Sequence, residues 1–497
     1  MIHAAISTIF AFAIVLLAGR LVLLGVDPAG VLRLGRLSIN ALGLLFGLGA
    51  LSLQLFFYSV AGLGVTSFSV ALPWVVLLIA LLLLYRTGTI KRPVYAQSTG
   101  VPTSQWGAVE TVATVIIALQ LVYVFVYYGA LPITGWDAWS IWFFKARAFF
   151  IDGGVTSGFL LNADYGYDHP DYPLLVPLSL MWLFTTLGEA NDIVAKILYP
   201  IQFAALLALL YYFILRSVGR RSALVAAALL SLTPLVVIHS AGLPQKIGGL
   251  YSGDFVGYAD LTLALLFMAS GGFIYLYAKE GAGSALRAAA LVLAIGAWTK
   301  NEGVVFALLG ASLLLLLLLL KSFKLPLSSF FFPTSKRTQE RPEGVKVATS
   351  VLFIVAALAL FVLPWALYKA HFGLGSEYTG GLNVGTIGEN IGRLPFVLGA
   401  ILKHLFVRLS LVSVAWWVLA LSVALNLKGI LRPGVFALLL LLIGQFAVYT
   451  LVYVITPADV AWQISTSLDR LVLHMTPLAL LIAFLNGGGV IEERRCS

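Results

Sequence analysis

Long apolar runs, broken by short polar segments, make up most of the chain. A helix that crosses a bilayer needs about 20 mostly apolar residues, and by this measure the pattern predicts an all-α polytopic membrane protein with about thirteen transmembrane helices. The predicted spans are residues 3–25, 38–62, 66–86, 107–130, 192–215, 222–241, 259–278, 285–299, 303–320, 347–368, 409–427, 433–455 and 469–485.

Two further apolar stretches are less suited to spanning. Residues 174–188 are short for a span, and residues 389–408 carry charges at helical spacing, as a helix lying on the membrane surface does. Lysine and arginine accumulate in cytoplasmic loops. If both stretches are outer juxtamembrane helices, the basic loops fall on one side, whereas a span at 174–188 would move Arg216, Arg220 and Arg221 outside.

This charge distribution predicts a multi-pass protein of the cell (plasma) membrane, with its N-terminus outside and its C-terminus in the cytoplasm. The first apolar stretch lacks the basic start and the A-x-A exit of a cleaved signal, so we expect it to remain as a helix. The segments predicted to lie outside are 131–191, 242–258, 369–408 and 456–468.

Composition supports the membrane assignment. The chain is 61% hydrophobic and 10% charged, whereas a soluble domain has about 25% charged residues. The net charge of +10 would indicate a nucleic-acid partner in a soluble protein, but here it follows the cytoplasmic loops, so no nucleic acid is expected. Cys496 is the single cysteine, which excludes an intrachain disulfide.

The chain divides at its polar linkers. Residues 1–105 are predicted to form an N-terminal extension of three membrane helices, and residues 106–320 a core that carries the outer loop 131–191. Residues 321–346 form a basic, proline-containing cytoplasmic linker. Residues 347–497 follow as C-terminal membrane helices with the outer loop 369–408.

The first group of chemically active side chains is Gly135-Trp136-Asp137-Ala138-Trp139. A helix over 136–150 would place Trp136, Trp139 and Phe143 on one apolar stripe, which anchors a helix at the membrane surface. Asp137 would lie on another face. A carboxylate among aromatic rings is partly desolvated and therefore more basic. The alternative is a helix N-cap.

The second group runs from Asp164 to Pro173 and contains Asp168, His169 and Asp171. The prolines bar a regular helix. Together with Asp137, the side chains of Asp168 and His169 are of the types that bind Mg²⁺ or Mn²⁺, and such a divalent ion is the only cofactor that the sequence suggests. The alternative is a polar turn that caps the helix over 174–188.

Two cations stand at predicted outer helix ends. Lys300 lies in a tight turn, where it either pairs with Glu302 or binds a phosphate. Arg470 lies one residue inside the last predicted span, so it needs an anion: Asp469, another buried acid or a ligand phosphate.

Two further acids are interpreted as helix caps. Thr466 and Asp469 have the spacing of a capping box at the start of the last span. Asp260 is expected to cap the helix that begins at 259.

Taken together, these motifs resemble the GT-C superfamily of membrane glycosyltransferases, in the branch of the protein O-mannosyltransferases and the lipid A aminoarabinose transferases. That family has an aspartate in the first large outer loop, then an H-P-P-L-like stretch, a lysine after a mid-chain span and an arginine that opens a late span. The matching segments here are Gly135-Trp136-Asp137, Asp168-His169-Pro170-Asp171-Tyr172-Pro173-Leu174, Thr299-Lys300 and Ser467-Leu468-Asp469-Arg470.

The chain departs from the family pattern in two ways. Three predicted spans precede the helix that leads to the aspartate, whereas the family usually begins with that helix. The H-P-P element is interrupted by Asp171-Tyr172. These departures leave the acceptor and the subfamily open.

The resemblance implies a GT-C-like helical bundle that transfers a sugar, with inversion, from a polyprenyl phosphate to a hydroxyl of a glycan, lipid or protein on the outer face. It implies Asp137 as the base, and Lys300 and Arg470, with Lys145 as a further candidate, as phosphate ligands. Asp168 and His169 would orient the acceptor or hold a divalent ion, and Trp136 and Tyr167 would stack on sugar.

Other classes of protein remain as alternatives. A multi-pass transporter or flippase of a lipid-linked or polar substrate would place its charges at mid-membrane on broken helices. A non-catalytic subunit that binds a lipid-linked sugar is a third reading. The sequence assigns neither the sugar, the acceptor nor the oligomeric state.

Overall fold

A computed structural model describes residues 2–89, 106–162, 164–165, 169–247, 250–323, 347–375 and 384–496. Nearly all regular structure in these ranges is helical, because the apolar runs are rich in Leu, Ala, Val and Phe and satisfy their backbone groups within each helix. In the first half of the chain the helices are α1 (Ile2–Val26), α2 (Arg36–Val60), α3 (Ser67–Arg86), α4 (Ala108–Ala130), α5 (Phe143–Ile151), α6 (Ser157–Leu160), α7 (Leu175–Leu187), α8 (Asp192–Ala195), α9 (Leu198–Ser217), α10 (Arg220–Ser231) and α11 (Pro234–Ala241).

The second half begins with a small hairpin and continues as helices. Strands β1 (Leu243–Ile247) and β2 (Leu250–Asp254) pair antiparallel, with Leu243 opposite Asp254. The helices that follow are α12 (Asp260–Glu280), α13 (Gly283–Ala297), α14 (Asn301–Phe323), α15 (Val347–Phe372), α16 (Val384–Asn390), α17 (Leu394–Phe406), α18 (Leu409–Val412), α19 (Ala415–Leu425), α20 (Leu427–Ile430), α21 (Pro433–Ile455) and α22 (Val460–Cys496). The hairpin is a local exception to the predicted all-α class.

The predicted multi-pass architecture is confirmed at the level of its long apolar helices. In the ranges that the structure describes, ten helices are long and apolar enough to cross a membrane, or eleven if α10 and α11, bent by 64° at their junction, form one broken span. The other two predicted spans coincide with the shorter helices α13 and α19. The predicted number of about thirteen is therefore not confirmed.

The two stretches predicted not to span are short helices. Helix α7 is thirteen residues long and almost entirely buried, packing against α1, α2 and α5. The second stretch forms α17, which follows a single 3₁₀ turn at Ile391–Arg393. The predicted linker 321–346 begins within the last residues of α14. Residues 324–346 lie outside the described residues.

Helix α12 is the centre of the bundle. It packs against α9, α13, α14, α21 and α22, and its apolar window is entirely buried. Small residues permit this packing. The Cβ of an alanine at 271 would meet the Leu478 side chain of α22, and one at 272 would overlap the ring of Phe213 in α9. Interfaces between membrane helices are enriched in such small residues.

Both predicted caps are wrong. Asp260 is the first residue of α12, but its side chain makes no capping hydrogen bond and points to groups on other helices. Helix α22 begins at Val460, so Asp469 lies inside the helix and not at its start. The apolar pattern gave the wrong start because Gln463 and the run Ser465-Thr466-Ser467 interrupt the apolar residues in the first turns of α22. Asp459 caps this helix instead, accepting from the backbone N–H of Trp462.

Candidate functional site

A cavity of ≈ 1040 Å³ opens at one end of the bundle. Helix α14 begins there, α15 and α21 end there, and α22 passes along it. Each of the four segments predicted to lie outside contributes to its wall, as do the residues of the turn between α13 and α14. The contributing residues include Asp137, Tyr258, Lys369, Trp462, Lys300 and Glu302. The sequence placed these segments on one side of the membrane, and the structure brings them to one site.

Asp137 reaches the cavity from an irregular helix start. The helix begins at Trp136, as predicted, but Ala138–Trp142 forms a π-helical turn before α5. Such turns insert one residue per turn and are frequent at functional sites. Here the insertion divides the predicted apolar stripe, because Trp136 and Trp139 stay exposed while Phe143 is buried. Asp137 makes no capping hydrogen bond, which removes the N-cap alternative.

The Asp137 carboxylate binds the Arg470 guanidinium directly. The side chain of Asp137 is 20% exposed and that of Arg470 14% exposed. Arg470 also lies 4.0 Å from Asp260 and over the ring of Tyr258. Of the anions that the sequence left open for Arg470, the structure therefore provides two acids from other segments, while Asp469 accepts only from the backbone N–H of Arg470.

Asp260 is the buried centre of the charge network. Its Oδ1 accepts from Lys300 Nζ at 3.2 Å and lies 2.8 Å from His474 Nε2. On the other side of the imidazole ring, His474 Nδ1 lies 2.9 Å from the Tyr449 hydroxyl. Asp260 and His474 are fully buried, and Tyr449 lines the cavity. A continuous chain of hydrogen bonds thus runs from Lys300 to the cavity wall on α21.

Lys300 is held between two acids. Besides Asp260, its ammonium binds Glu302 at 2.9 Å, so the predicted pairing with Glu302 is present. Burial disfavours the ammonium, but Asp260 and Glu302 outweigh burial and hold the pKa of Lys300 above its usual value. Because its pKa is raised, Lys300 stays charged, and it presents this positive charge to the cavity that it lines.

The segment around His169 forms one wall of the cavity. The His169 ring stacks on Tyr172 with 4.6 Å between ring centroids, and Tyr172 stacks on Trp142. Burial raises the pKa of Tyr172 far above its usual value. His169 has φ = 54°, which side-chain-bearing residues rarely adopt. Lys145 fixes this conformation, because its buried ammonium donates to the His169 carbonyl at 2.5 Å.

The predicted site residues thus fall into three groups. Asp137, Trp136, His169, Lys300 and Arg470 line the cavity. Lys145 lies behind the wall, bound to the His169 backbone and 5.7 Å from the Tyr172 ring centroid. Tyr167 and Asp168 lie outside the described residues.

The metal prediction finds no support in the part of the site that the structure describes. No group of three or more His, Cys, Asp or Glu side chains there has the arrangement of metal ligands. Arg470 also binds Asp137, and a cation in that position opposes binding of a second cation. The proposed ligand Asp168 is outside the described residues, so the metal site stays a prediction.

Sequence reasoning missed several residues at the site. Asp260 was interpreted as a cap, and His474, Tyr449 and Gln445 were not singled out because each lies within a long apolar run. Ionisable residues inside such runs are rare and usually functional, which is the signal that marks His474. No sequence signal links Asp260 to His474, since the contact depends on how α12 and α22 pack.

No family model, curated protein or solved structure matches the chain. What the site can do must therefore be judged from its geometry and chemistry.

Proposed function

We propose that the protein is an inverting glycosyltransferase that moves a sugar from a polyprenyl-phosphate donor to a hydroxyl acceptor at the outer face of the membrane. One observation supports this above all. An acid and two cations from three distant segments, Asp137, Lys300 and Arg470, line one cavity at the end of a membrane bundle. The proposal agrees with the resemblance to GT-C enzymes, with the N-terminus outside and the C-terminus in the cytoplasm.

The cavity suits an amphipathic donor. Part of the cavity wall is apolar and comes from within long helices, with Val304 and Val305 on α14, Val362 on α15 and Val448 and Val452 on α21. A polyprenyl chain needs an apolar surface of this kind at membrane depth, where polar groups without partners are costly. The donor would therefore lie with its tail along this apolar part of the wall and its headgroup beside the charged side chains.

The two cations suit a phosphate. Lys300 offers a compact ammonium, and the planar guanidinium of Arg470 can bind two phosphate oxygens at once. Both are desolvated, so their attraction for an anion is stronger than in water. In the reaction they would stabilise the charge that develops on the leaving phosphate.

Asp137 is the base in this proposal. The acceptor hydroxyl oxygen attacks the anomeric carbon and forms the new glycosidic bond, while the bond from that carbon to the phosphate oxygen breaks and its electron pair stays on the phosphate. The hydroxyl proton passes to the Asp137 carboxylate. Attack opposite the leaving group inverts the anomeric centre. No step is assigned to a metal ion.

The test is sugar transfer in reconstituted membranes with a panel of polyprenyl-phosphate sugars and hydroxyl acceptors, with wild type beside Asp137→Asn. The variant should lose about 10²–10⁴-fold in transfer rate, the usual contribution of a general base, while it still folds and binds the donor at least as tightly as the wild type. The control is Asp152→Asn, which changes an acid of the same outer segment that does not line the cavity. Transfer by Asp137→Asn at the wild-type rate would reject this role.

A transporter or flippase is the second candidate, and the break between α10 and α11 favours it. The two helices are bent by 64°, and His239, close to the break, is fully buried. Broken helices carry substrate sites in many transporters. Translocation of a lipid-linked sugar across vesicles without any glycosidic product would support this reading over transfer.

A further inference from the structure

Gln445 presents an unused amide to the cavity. It lies on α21, lines the cavity and is 0% exposed. Neither its Oε1 nor its Nε2 has a hydrogen-bond partner among the residues that the structure describes. A buried amide without partners is destabilising, so its presence in a mostly apolar helix requires a reason.

The neighbouring turn of α21 adds a second polar group. Tyr449 lies four residues after Gln445, on the same face of the helix, and also lines the cavity. The Gln445 amide lies beside Tyr449 without the geometry of a hydrogen bond to it. The Glu302 carboxylate lines the same cavity and acts electrostatically on Tyr449. Three polar side chains thus face this part of the cavity.

His474 and Asp260 fix the direction of the Tyr449 hydroxyl. Asp260 is a carboxylate paired with Lys300, so the proton of His474 belongs on Nε2, which faces Asp260 at 2.8 Å. In the neutral ring Nδ1 is then the acceptor, and the Tyr449 hydroxyl, 2.9 Å away, is the donor. The Tyr449 oxygen is left with lone pairs, so toward the cavity it can only accept a hydrogen bond.

We propose that Gln445, Tyr449 and Glu302 form a subsite that binds the hydroxyl groups of the transferred sugar, with His474 and Asp260 as positioning residues for Tyr449. Tyr449 and Glu302 accept from sugar hydroxyls, and the Gln445 amide both donates and accepts. This inference rests on the proposed function, because it assigns the sugar of the lipid-linked donor to a place beside the phosphate ligands. Gln445 is then a specificity-determining residue.

The experiment distinguishes the contribution of the sugar to binding affinity from that of the polyprenyl phosphate. Binding of bare polyprenyl phosphate and of polyprenyl-phosphate hexoses and pentoses, with their deoxy analogues, is measured for wild type and for Gln445→Met. We expect the wild type to bind its preferred glycosylated lipid more tightly than bare polyprenyl phosphate. Gln445→Met should reduce that gain by about 10-fold, should bind bare polyprenyl phosphate normally and should no longer distinguish one deoxy analogue from the parent sugar.

The Tm of Gln445→Met distinguishes a binding role from a structural one. If Gln445 only stabilised the fold, its replacement would lower the Tm. Because Gln445 gives up no protein hydrogen bond, Gln445→Met should leave the Tm unchanged or raise it. The control is Gln54→Met, since the Gln54 amide binds Trp74 and the Val70 carbonyl away from the cavity. That variant should lose stability and keep full sugar discrimination. Tyr449→Phe should lose discrimination at a second sugar hydroxyl.

The outcomes separate this proposal from the one on which it rests. If Gln445→Met and Tyr449→Phe retain the sugar-dependent gain in affinity and the discrimination of deoxy analogues, the subsite is overturned while transfer and phosphate binding stand. If the wild type binds no polyprenyl phosphate and transfers no sugar, the proposed function fails and this assignment fails with it. A fall in Tm for Gln445→Met with unchanged discrimination makes Gln445 structural, which also overturns the subsite.

Discussion

The guanidinium of Arg470 binds the carboxylate of Asp137, although 333 residues separate them in the chain. Asp137 precedes α5 in the first outer segment, and Arg470 lies in the third turn of the last helix. The proposed base and a proposed phosphate ligand are therefore partners in the fold. Under the proposed function, a donor phosphate that binds Arg470 would compete with Asp137 and release its carboxylate, which would link donor binding to the readiness of the base.

The first prediction concerns the energy of this pair. Removing one charge leaves the other partly buried, so Arg470→Gln should reduce the free energy of unfolding by about 3 kcal/mol. Asp137→Asn should cost less, because Asp260 still lies near Arg470. The double variant should lose less than the sum of the two, and thermal denaturation of all four proteins measures the coupling. Additive losses would mean that the pair contributes no coupling energy.

The second prediction follows from the competition for Arg470. Asp137→Asn removes the competing carboxylate, so it should bind bare polyprenyl phosphate about 10-fold more tightly than the wild type, even though it no longer transfers sugar. Titration of detergent-solubilised protein with polyprenyl phosphate measures this. Asp152→Asn should bind as the wild type does. Weaker binding by Asp137→Asn would show that the carboxylate supports the phosphate site and does not compete with it.

The third prediction separates Lys300 from other buried lysines. Lys300→Met should weaken binding of polyprenyl phosphate by about 10–100-fold, the effect of losing a charged hydrogen bond in a desolvated site. Lys196→Met is the matched control. Lys196 is equally buried, but it donates to the Leu131 carbonyl and does not line the cavity. It should bind the lipid as the wild type does. Equal effects of both substitutions would point to general loss of structure.

Lys300 also predicts a pH profile. Its pKa is raised, so the stabilisation that it gains from Asp260 and Glu302 is complete below its ordinary pKa and is lost only when the pH rises through the higher folded value. Between about pH 6 and 9 the ammonium therefore stays charged. Titration of Lys300 should cause no fall in phosphate affinity over that range in wild type, and the difference from Lys300→Met should stay constant. A difference that shrinks before pH 9 would contradict the charged state.

The sequence predicted most of the long helices, and five of the residues that it singled out line one cavity. Apolar runs of spanning length located the long helices, and the positive-inside pattern placed Asp137, Lys300 and Arg470 on one side, which agrees with their meeting in one cavity. The long helices could be predicted because they depend on local length and hydropathy.

Other features could not be predicted because they depend on packing. The π-helical turn after Asp137 changes the helix period locally. Two other features join segments that are far apart in the chain: the pairing of Asp137 with Arg470, and the hydrogen bonds from Asp260 through His474 to Tyr449. Asp260 shows the limit most clearly. At a helix start its local pattern indicates a cap, while in the fold it is the buried partner of Lys300.

The last prediction concerns Gly303, which affects the site only through the packing of α14 against α13. A Cβ on Gly303 would overlap the backbone carbonyl of Gly296, where α14 leaves the turn that carries Lys300. Because a backbone atom cannot move aside as a flexible side chain can, Gly303→Ala should push α14 away from α13 and displace Lys300 from Asp260. We expect lower thermal stability and weaker binding of polyprenyl phosphate. The control is Gly296→Ala, whose added Cβ meets nothing within 4 Å and should be tolerated. If both variants bind lipid and melt as the wild type does, the close approach of α13 and α14 is not what holds Lys300 in place.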